Sequence, residues 1–241
     1  MKNKDRVLCF GDSITQGRPG TTYLKYFRCK ANYLNYGLGG DTLIGMSSRI
    51  KKKLEGKEFK NINKIVIGIG ANDIIQPFLK EYSFLWKLRV KSLCLRGSIA
   101  CNDEHQFEKE YIKLIKYLKK LNKEIIIFSL PYIESENGLN NKIIIYNGIV
   151  EKICQQFSIP FIDFYTWQFN TKQKSNQKGT YFMAKNPLLV GIDTILTTFL
   201  PFNNYISKKR RLALTVDGCH LNKTSASWLA QNIESNIKQF V

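Results

Sequence analysis

Lys64-Ile-Val-Ile-Gly-Ile69 and Glu124-Ile-Ile-Ile-Phe-Ser-Leu130 are the stretches of sequence that decide the fold. Each is a short run of β-branched and other apolar residues that ends at Gly or Pro, and such runs indicate strands buried on both faces of a parallel sheet. Residues 7–10 form a third apolar run, and residues 32–36 and 159–163 are shorter candidates. The chain therefore offers five strands for one sheet.

Amphipathic segments separate these runs. Residues 42–56 place apolar side chains three and four positions apart, with Asp41 as a candidate helix cap and Gly56 as a stop. Two further helices are predicted over 140–157 and 222–241, and the clearest lies at 103–121, where acids come early and lysines late, as the helix dipole favours. Strands alternating with helices predict an α/β fold of three layers, α/β/α, with a central, mostly parallel five-stranded sheet. Ligands bind at the carboxyl ends of strands in such sheets.

Composition indicates one globular domain over residues 1–241, since 44% of the residues are hydrophobic and 23% are charged. The charge is unbalanced, because 37 Lys and Arg against 19 Asp and Glu give a net charge of +18. Such a surplus favours anionic surroundings, such as phospholipid head groups, phosphorylated glycans or nucleic acid. A proteome that is simply rich in lysine explains the surplus equally well.

Cysteine spacing and hydropathy exclude several classes of protein. The six cysteines form no CxxC pair, so neither a zinc site nor a disulfide framework is expected. Residues 1–12 hold too short an apolar run for a secretory signal, which needs roughly 7–15 residues, so we expect a cytoplasmic protein unless a leader has been removed. The longest apolar stretch, 187–202, is too short to span a bilayer and carries Asp193. It is expected to be buried or interfacial.

Two short motifs near the chain ends supply the parts of a nucleophilic site. Gly11-Asp12-Ser13-Ile14 puts a serine where the first strand gives way to a loop, and Asp217-Gly218-Cys219-His220 puts a carboxylate three residues before a histidine. A serine hydroxyl attacks efficiently only when a base takes its proton and a third group orients that base. His105, the other histidine, begins a predicted helix and is expected to be solvated, so His220 is the candidate base.

Two more motifs follow predicted strands. The glycine-rich turn at 37–42 includes Gly40 and can offer a backbone N–H to an anion. Gly68-Ile-Gly-Ala-Asn-Asp73 includes Asn72, whose amide can donate to a developing oxyanion. Simpler roles stay open: Ser13 and Asn72 are common helix caps or turn residues, and Gly40 can serve a turn that needs positive φ.

The four motifs together resemble the SGNH subgroup of the GDSL esterases and lipases, over roughly residues 5–163 and 214–241. The resemblance implies a flavodoxin-like α/β hydrolase without a metal or an organic cofactor. It also implies that Ser13 is the nucleophile, His220 the base and Asp217 the group that orients it. The oxyanion hole would consist of the backbone N–H of Ser13, the turn that contains Gly40, and the side-chain amide of Asn72. The neighbouring Asp12, Gly70 and Asp73 would support the site by bracing the turns.

The predicted function is that of a serine esterase or acylhydrolase. It would cleave an acetyl or fatty acyl ester of a carbohydrate or lipid through an acyl-enzyme on Ser13. An acyltransferase using the same acyl-enzyme, and a catalytically silent basic protein that binds nucleic acid or membrane, remain as alternatives. The expected partners are a small-molecule ester and an anionic membrane or glycan surface, with peripheral association at a membrane. Nucleic acid is disfavoured because every catalytic residue type is present.

Two stretches, about 74–100 and 164–216, are insertions relative to the compact family pattern. The first mixes aromatic and aliphatic residues with several cations. The second surrounds the apolar run 187–202 with one acid, Asp193, and the following bases: Lys172, Lys174, Lys178, Lys185, Lys208, Lys209, Arg210 and Arg211. An apolar patch flanked by cations suits an anionic lipid surface or a lid over acyl chains. A folded subdomain with a solvated basic edge is the alternative.

Overall fold

The central sheet has five strands, all parallel. A computed structural model describes residues 6–28, 32–59, 62–134, 138–184 and 186–238. The strands are β1 (Arg6–Gly11), β2 (Asn32–Gly37), β3 (Lys64–Gly68), β4 (Glu124–Phe128) and β5 (Phe161–Ile162). They pair in the order β2-β1-β3-β4-β5. The predicted α/β fold with a five-stranded sheet is confirmed, and the edge strand β5 is the shortest of the five.

Helices connect the strands and cover both faces of the sheet. They are α1 (Ser13–Gln16), α2 (Leu43–Leu54), α3 (Ala71–Tyr82), α4 (Phe84–Leu95), α5 (Glu104–Lys120), α6 (Leu139–Gln156), α7 (Phe164–Gln173), α8 (Pro187–Thr194), α9 (Asn203–Lys209) and α10 (Lys223–Lys238). A π-helical turn, Ile195–Phe199, continues from α8. Residues 239–241 of the predicted last helix lie outside the described residues, as do Cys29 and Lys185.

Alternate residues of each strand enter opposite cores, because successive side chains in a strand point to opposite faces. Leu8, Ile65 and Ile125 belong to the larger core, with apolar residues of α2, α3, α5 and α6. Val7 and Val66 belong to the smaller core, which α10 and the start of α7 cover. This arrangement gives the predicted three layers.

The start of α2 differs from the sequence-based expectation. Thr42, and not Asp41, is the N-cap residue, and its hydroxyl accepts from the Gly45 N–H at 3.4 Å. Asp41 is buried and accepts from Arg49 Nε at 2.7 Å and from Ser98 Oγ at 3.0 Å. The acid is therefore used in long-range contacts that its position in the sequence does not reveal.

Both inserted stretches fold into helices beside the carboxyl ends of the strands. Residues 74–100 form most of α3 and all of α4, and residues 164–216 form α7, α8, the π-helical turn and α9. The run 187–202 was expected to be buried or interfacial; Asp193 is buried, whereas Leu188 is 75% exposed. The single-domain organisation with these two insertions stays a prediction. Within the described ranges, no helix has the length and apolar character needed to cross a bilayer.

Candidate active site

Ser13 is placed by the junction between β1 and α1. Gly11 ends the strand, and a Cβ there would lie 2.2 Å from the Thr15 hydroxyl, so no larger residue fits. The Asp12 carboxylate caps α1 by accepting from the Ile14 N–H at 2.8 Å. Gly17, with φ of 77°, ends the helix after four residues. This tight turn fixes Ser13 at the carboxyl edge of the sheet.

Ser13, His220 and Asp217 form one hydrogen-bonded chain. The Ser13 hydroxyl lies 2.9 Å from His220 Nε2, and His220 Nδ1 lies 2.7 Å from Asp217 Oδ2. The second carboxylate oxygen of Asp217 accepts from the backbone N–H of His220 at 2.8 Å and of Cys219 at 3.2 Å. The structure thus brings together the three residues that the two end motifs predicted, although 207 positions separate the serine from the histidine.

The ionised carboxylate of Asp217 favours one tautomer of His220. Burial raises the pKa of Asp217, but His220 and the two backbone N–H donors outweigh it, so the pKa lies below its usual range. An ionised carboxylate only accepts, so a neutral His220 must carry its proton on Nδ1. Its Nε2 lone pair is then free to accept from the Ser13 hydroxyl. The geometry is that of a base oriented for a nucleophile.

The loop that carries Asp217 and His220 is held by Glu134, which the sequence analysis missed. The buried Glu134 carboxylate accepts from the N–H of Ala213 at 2.8 Å and of Leu214 at 2.9 Å, and from the Thr215 hydroxyl at 2.6 Å. Its own N–H donates to the Gly218 carbonyl at 2.8 Å. Glu134 follows the fourth predicted strand, at the expected edge of the sheet, and that position is the only signal the sequence offers.

Gly40 and Asn72 lie beside Ser13 on two neighbouring turns. Asn72 Nδ2 donates to the Asp41 carbonyl at 2.9 Å and lies 3.4 Å from Asp12 Oδ2. Gly40 has a φ of 77°, and its carbonyl accepts from Gln76 Nε2 at 2.7 Å. Among the described residues, no acceptor engages the backbone N–H of Ser13 or of Gly40. Two backbone donors and one side-chain amide are thus available near Ser13.

The three predicted supporting residues make contacts that hold these turns. Asp73 accepts from the Leu43 N–H at 3.0 Å and from the Cys101 N–H at 2.9 Å, which joins α2 and the segment after α4 to α3. Gly70 has a φ of 121°, and a Cβ there would lie 2.8 Å from the Phe107 ring. Burial raises the pKa of Asp12 to about 7 and that of Asp73 to about 6.

Ser13 and His220 open into a cavity of about 500 Å³. Its walls come from α3, α4 and α8, and are mainly apolar: Ile75, Leu79, Trp86, Leu93, Met183, Leu188 and Val190. The indole N–H of Trp86 donates to the Ala184 carbonyl at 2.7 Å, which fixes the ring. Both insertions therefore contribute to the site, and the sequence could not show which of their apolar residues would enter it.

Two bases of the second insertion bind within the protein: Lys172 lies 3.5 Å from the Glu134 carboxylate, and Arg210 binds Asp193. Arg210 makes two contacts with the Asp193 carboxylate, at 2.7 and 3.0 Å, and donates to the Val216 carbonyl at 2.8 Å. This pair of a half-buried guanidinium and a buried carboxylate joins α8 to the loop that carries Asp217. Lys172 and Arg210 were expected to contribute to a cationic surface, and the structure corrects that expectation for both. Over the part of the chain that the structure describes, no group of three or more His, Cys, Asp or Glu could hold a metal ion.

Comparisons with known proteins identify the family and support the fold. A sequence model of the GDSL-like lipase/acylhydrolase family matches residues 9–182. No curated protein is a significant match.

Three solved structures illustrate the similarity of fold. A GDSL-like lipase from Bacteroides thetaiotaomicron shares 15% identity at a TM-score of 0.62, covering 100% of this chain and 91% of its own. A catalytic mutant of an acetylxylan esterase from Geobacillus stearothermophilus shares 19% identity at a TM-score of 0.62, covering 98% and 96%. A lipase/acylhydrolase from Enterococcus faecalis shares 15% identity at a TM-score of 0.57, covering 97% and 95%.

Proposed function

The chain belongs to the GDSL-like lipase/acylhydrolase family and is a carboxylic ester hydrolase, and from that premise we propose that it works through an acyl-enzyme on Ser13. The observation that carries the proposal is the hydrogen-bonded chain from Ser13 through His220 to Asp217, which opens into the cavity. A serine, a base and an orienting carboxylate in this geometry are what nucleophilic acyl transfer requires.

In the first half-reaction, Ser13 Oγ attacks the ester carbonyl carbon while its proton passes to His220 Nε2. The carbonyl π electrons move to the oxygen, and the oxyanion accepts from the N–H of Ser13 and of Gly40 and from the Asn72 amide. Donors placed in advance stabilise the charge as it develops. The Asp217 carboxylate stabilises the imidazolium. When the carbon–oxygen bond to the alcohol breaks, His220 returns the proton to the leaving oxygen.

In the second half-reaction, a water molecule replaces the alcohol. His220 takes a proton from the water, the resulting hydroxide attacks the acyl carbon, and the bond to Ser13 Oγ breaks. The proton then passes from His220 to Ser13, which restores the resting enzyme and releases the carboxylic acid.

Asn72 needs one amide hydrogen for the oxyanion in both half-reactions. It can break its hydrogen bond to the Asp41 carbonyl, or use the hydrogen that makes only the long contact to Asp12.

The apolar walls of the cavity support a fatty acyl group over acetyl. Apolar side chains outnumber polar ones in the lining of this cavity, and such walls favour an apolar chain by excluding water. We therefore propose a lipid ester as substrate. Faster hydrolysis of p-nitrophenyl octanoate than of p-nitrophenyl acetate is the expected result.

Labelling with a fluorophosphonate probe tests the nucleophile. Wild-type protein should label, and Ser13→Ala should not, because the probe reacts with an activated serine hydroxyl. Ser235→Ala is the matched control, since Ser235 is exposed on α10 and should label like wild type. Equal labelling of Ser13→Ala and wild type, or no labelling of wild type, would contradict the proposal.

We also propose that the enzyme meets its substrate at an anionic lipid surface as a cytoplasmic, peripherally bound protein. Phe84 and Leu88 are exposed along α4, beside the cavity wall, and their exposed fractions are 71% and 49%. The exposed Lys87 and Lys91 flank them on the same helix. An apolar edge with adjacent cations is complementary to an anionic membrane surface.

A further inference from the structure

Three arginine side chains line the cavity that holds Ser13: Arg18, Arg89 and Arg96. All three residues are exposed. No carboxylate lies within ion-pair distance of them among the residues that the structure describes. Three positive charges without a partner at the mouth of one cavity repel each other, so a negative ligand there would be favoured.

Arg89 lies on the face of α4 that lines the cavity, and Arg96 is the cap residue directly after that helix. Trp86, Arg89, Leu93 and Arg96 follow one another at spacings of three, four and three, which places them on one side of the helix. Trp86 and Leu93 are buried, while the two arginines reach solvent. A Cβ on Gly40 would lie 2.8 Å from the Leu93 side chain, so this face adjoins the turn that offers the Gly40 N–H.

Arg18 comes from a different element and approaches the same cavity. It follows α1, and its guanidinium carbon lies 5.0 Å from the centre of the Phe199 ring in the π-helical turn. A guanidinium over an aromatic ring is held by cation–π attraction and keeps its N–H donors for another group. The cations therefore lie on two sides of the opening.

The lining residues supply almost no negative charge in return. Among the described lining residues Asp12 is the only carboxylate, and it is buried and already accepts from the Ile14 N–H. The apolar walls suit the acyl chain, which leaves the exposed cationic mouth for the alcohol part of the ester. A phosphate suits such a mouth, because a guanidinium can donate two parallel hydrogen bonds to its oxygens.

We propose that Arg18, Arg89 and Arg96 form a subsite for a phosphate on the alcohol side of the ester. The substrate class is then an acyl ester of a phosphorylated polyol, which is the chemistry of an acidic lipid head group. This inference rests on the proposed function, since it assigns the alcohol of the same reaction. A neutral glycan ester has no negatively charged group that could pair with these arginines.

Matched substrates below their aggregation concentrations test the subsite. Wild-type kcat/KM should be at least about tenfold higher for monooctanoylglycerol phosphate than for monooctanoylglycerol, because charge-assisted hydrogen bonds to the phosphate are stronger than neutral ones. Arg89→Gln/Arg96→Gln should reduce this ratio by about tenfold. The control Arg6→Gln/Lys116→Gln removes the same net charge from exposed positions that do not line the cavity, and it should keep the wild-type ratio.

Competition by glycerol phosphate tests whether the arginines bind the phosphate group itself or act only at a membrane surface. Without any lipid surface, glycerol phosphate should inhibit wild type more strongly than Arg89→Gln/Arg96→Gln. The subsite is wrong if wild type shows no preference for the phosphorylated ester, if the preference appears only on vesicles, or if the arginine variant keeps it. Failure of the proposed function looks different, because Ser13→Ala would then hydrolyse both esters.

Discussion

Asp217 determines the protonation behaviour of His220 at the scale of single residues. Burial lowers the pKa of His220, but the adjacent Asp217 carboxylate and its hydrogen bond outweigh burial, and Asp12 and Asp193 add in the same direction. The pKa of His220 consequently lies above its ordinary value of 6.5. Below that raised pKa the imidazole is charged, and Nε2 cannot accept the proton of Ser13.

The acid limb of the pH profile should therefore move when Asp217 is removed. The midpoint of this limb in kcat/KM reports the free enzyme's base, so it should lie above pH 6.5 in wild type. In Asp217→Ala, burial remains while the attraction is gone, so the midpoint should fall and the maximal rate should also drop. Glu151→Gln, which removes an exposed carboxylate on α6, should keep the wild-type midpoint. An unchanged or raised midpoint in Asp217→Ala would contradict this electrostatic account.

At the scale of elements, short turns and helices place groups that are distant in sequence. The four-residue helix α1 holds Ser13, the turn after β2 holds Gly40, and the start of α3 holds Asn72. The segment that carries Asp217 and His220 contains only an isolated bridge between Thr215 and Leu221, so other groups must hold it. Glu134 and the Asp193–Arg210 pair supply those contacts.

Glu134→Gln should weaken the position of this segment. The Glu134 carboxylate accepts from two N–H groups and a hydroxyl. The amide nitrogen of glutamine cannot accept, so at least one of these buried donors would lose its partner. The free energy of unfolding should fall by about 1–3 kcal/mol, and kcat should fall with it. Urea unfolding and steady-state kinetics would measure both.

Glu81→Gln is the control for that experiment. Glu81 is exposed on α3, so its substitution should change neither the stability nor kcat. If Glu134→Gln has the same free energy of unfolding and the same kcat as this control, Glu134 has no part in positioning the segment. A fall in stability with normal kcat would limit Glu134 to a purely structural role.

At the scale of the whole molecule, excess positive charge and exposed apolar side chains coincide near the cavity. The net charge is +18, and the two insertions expose apolar residues on α4, α8 and the π-helical turn. Net charge acts over the surface and directs the protein toward anionic partners, while apolar residues provide short-range attachment. The two contributions can be separated by salt and by mutation.

Binding to vesicles should depend on both lipid charge and the α4 edge. Wild type should sediment with phosphatidylglycerol vesicles more than with phosphatidylcholine vesicles, and added salt should weaken this binding. Phe84→Gln/Leu88→Gln should reduce binding at constant net charge. Ile144→Gln/Ile145→Gln, which changes two exposed residues on α6, is the matched control and should bind like wild type. Equal binding of both double variants would contradict a role for α4.

Sequence alone determined the layers of the fold, because hydrophobic periodicity and strand-ending glycines are local signals. The runs at β1, β3 and β4 were predicted within two residues of their ends, and parallel pairing then put the four motifs at one edge. The resemblance to the family supplied the roles of Ser13, Gly40, Asn72, Asp217 and His220. Those roles are proposals that the labelling and pH experiments test.

Only the tertiary structure decided which side chains line the cavity and which acids hold the site together. Asp41 pairs with Arg49 instead of capping α2, Arg210 binds Asp193, and Glu134 holds the segment that carries His220. Nothing in the sequence distinguishes Arg89 and Arg96 from the other cations of the first insertion, yet the packing of α4 puts them at the mouth of the cavity. These contacts join residues far apart in the chain, and local patterns carry no information about such distances. The sequence therefore predicted the chemistry, while the folded arrangement of its insertions supports the proposed substrate class.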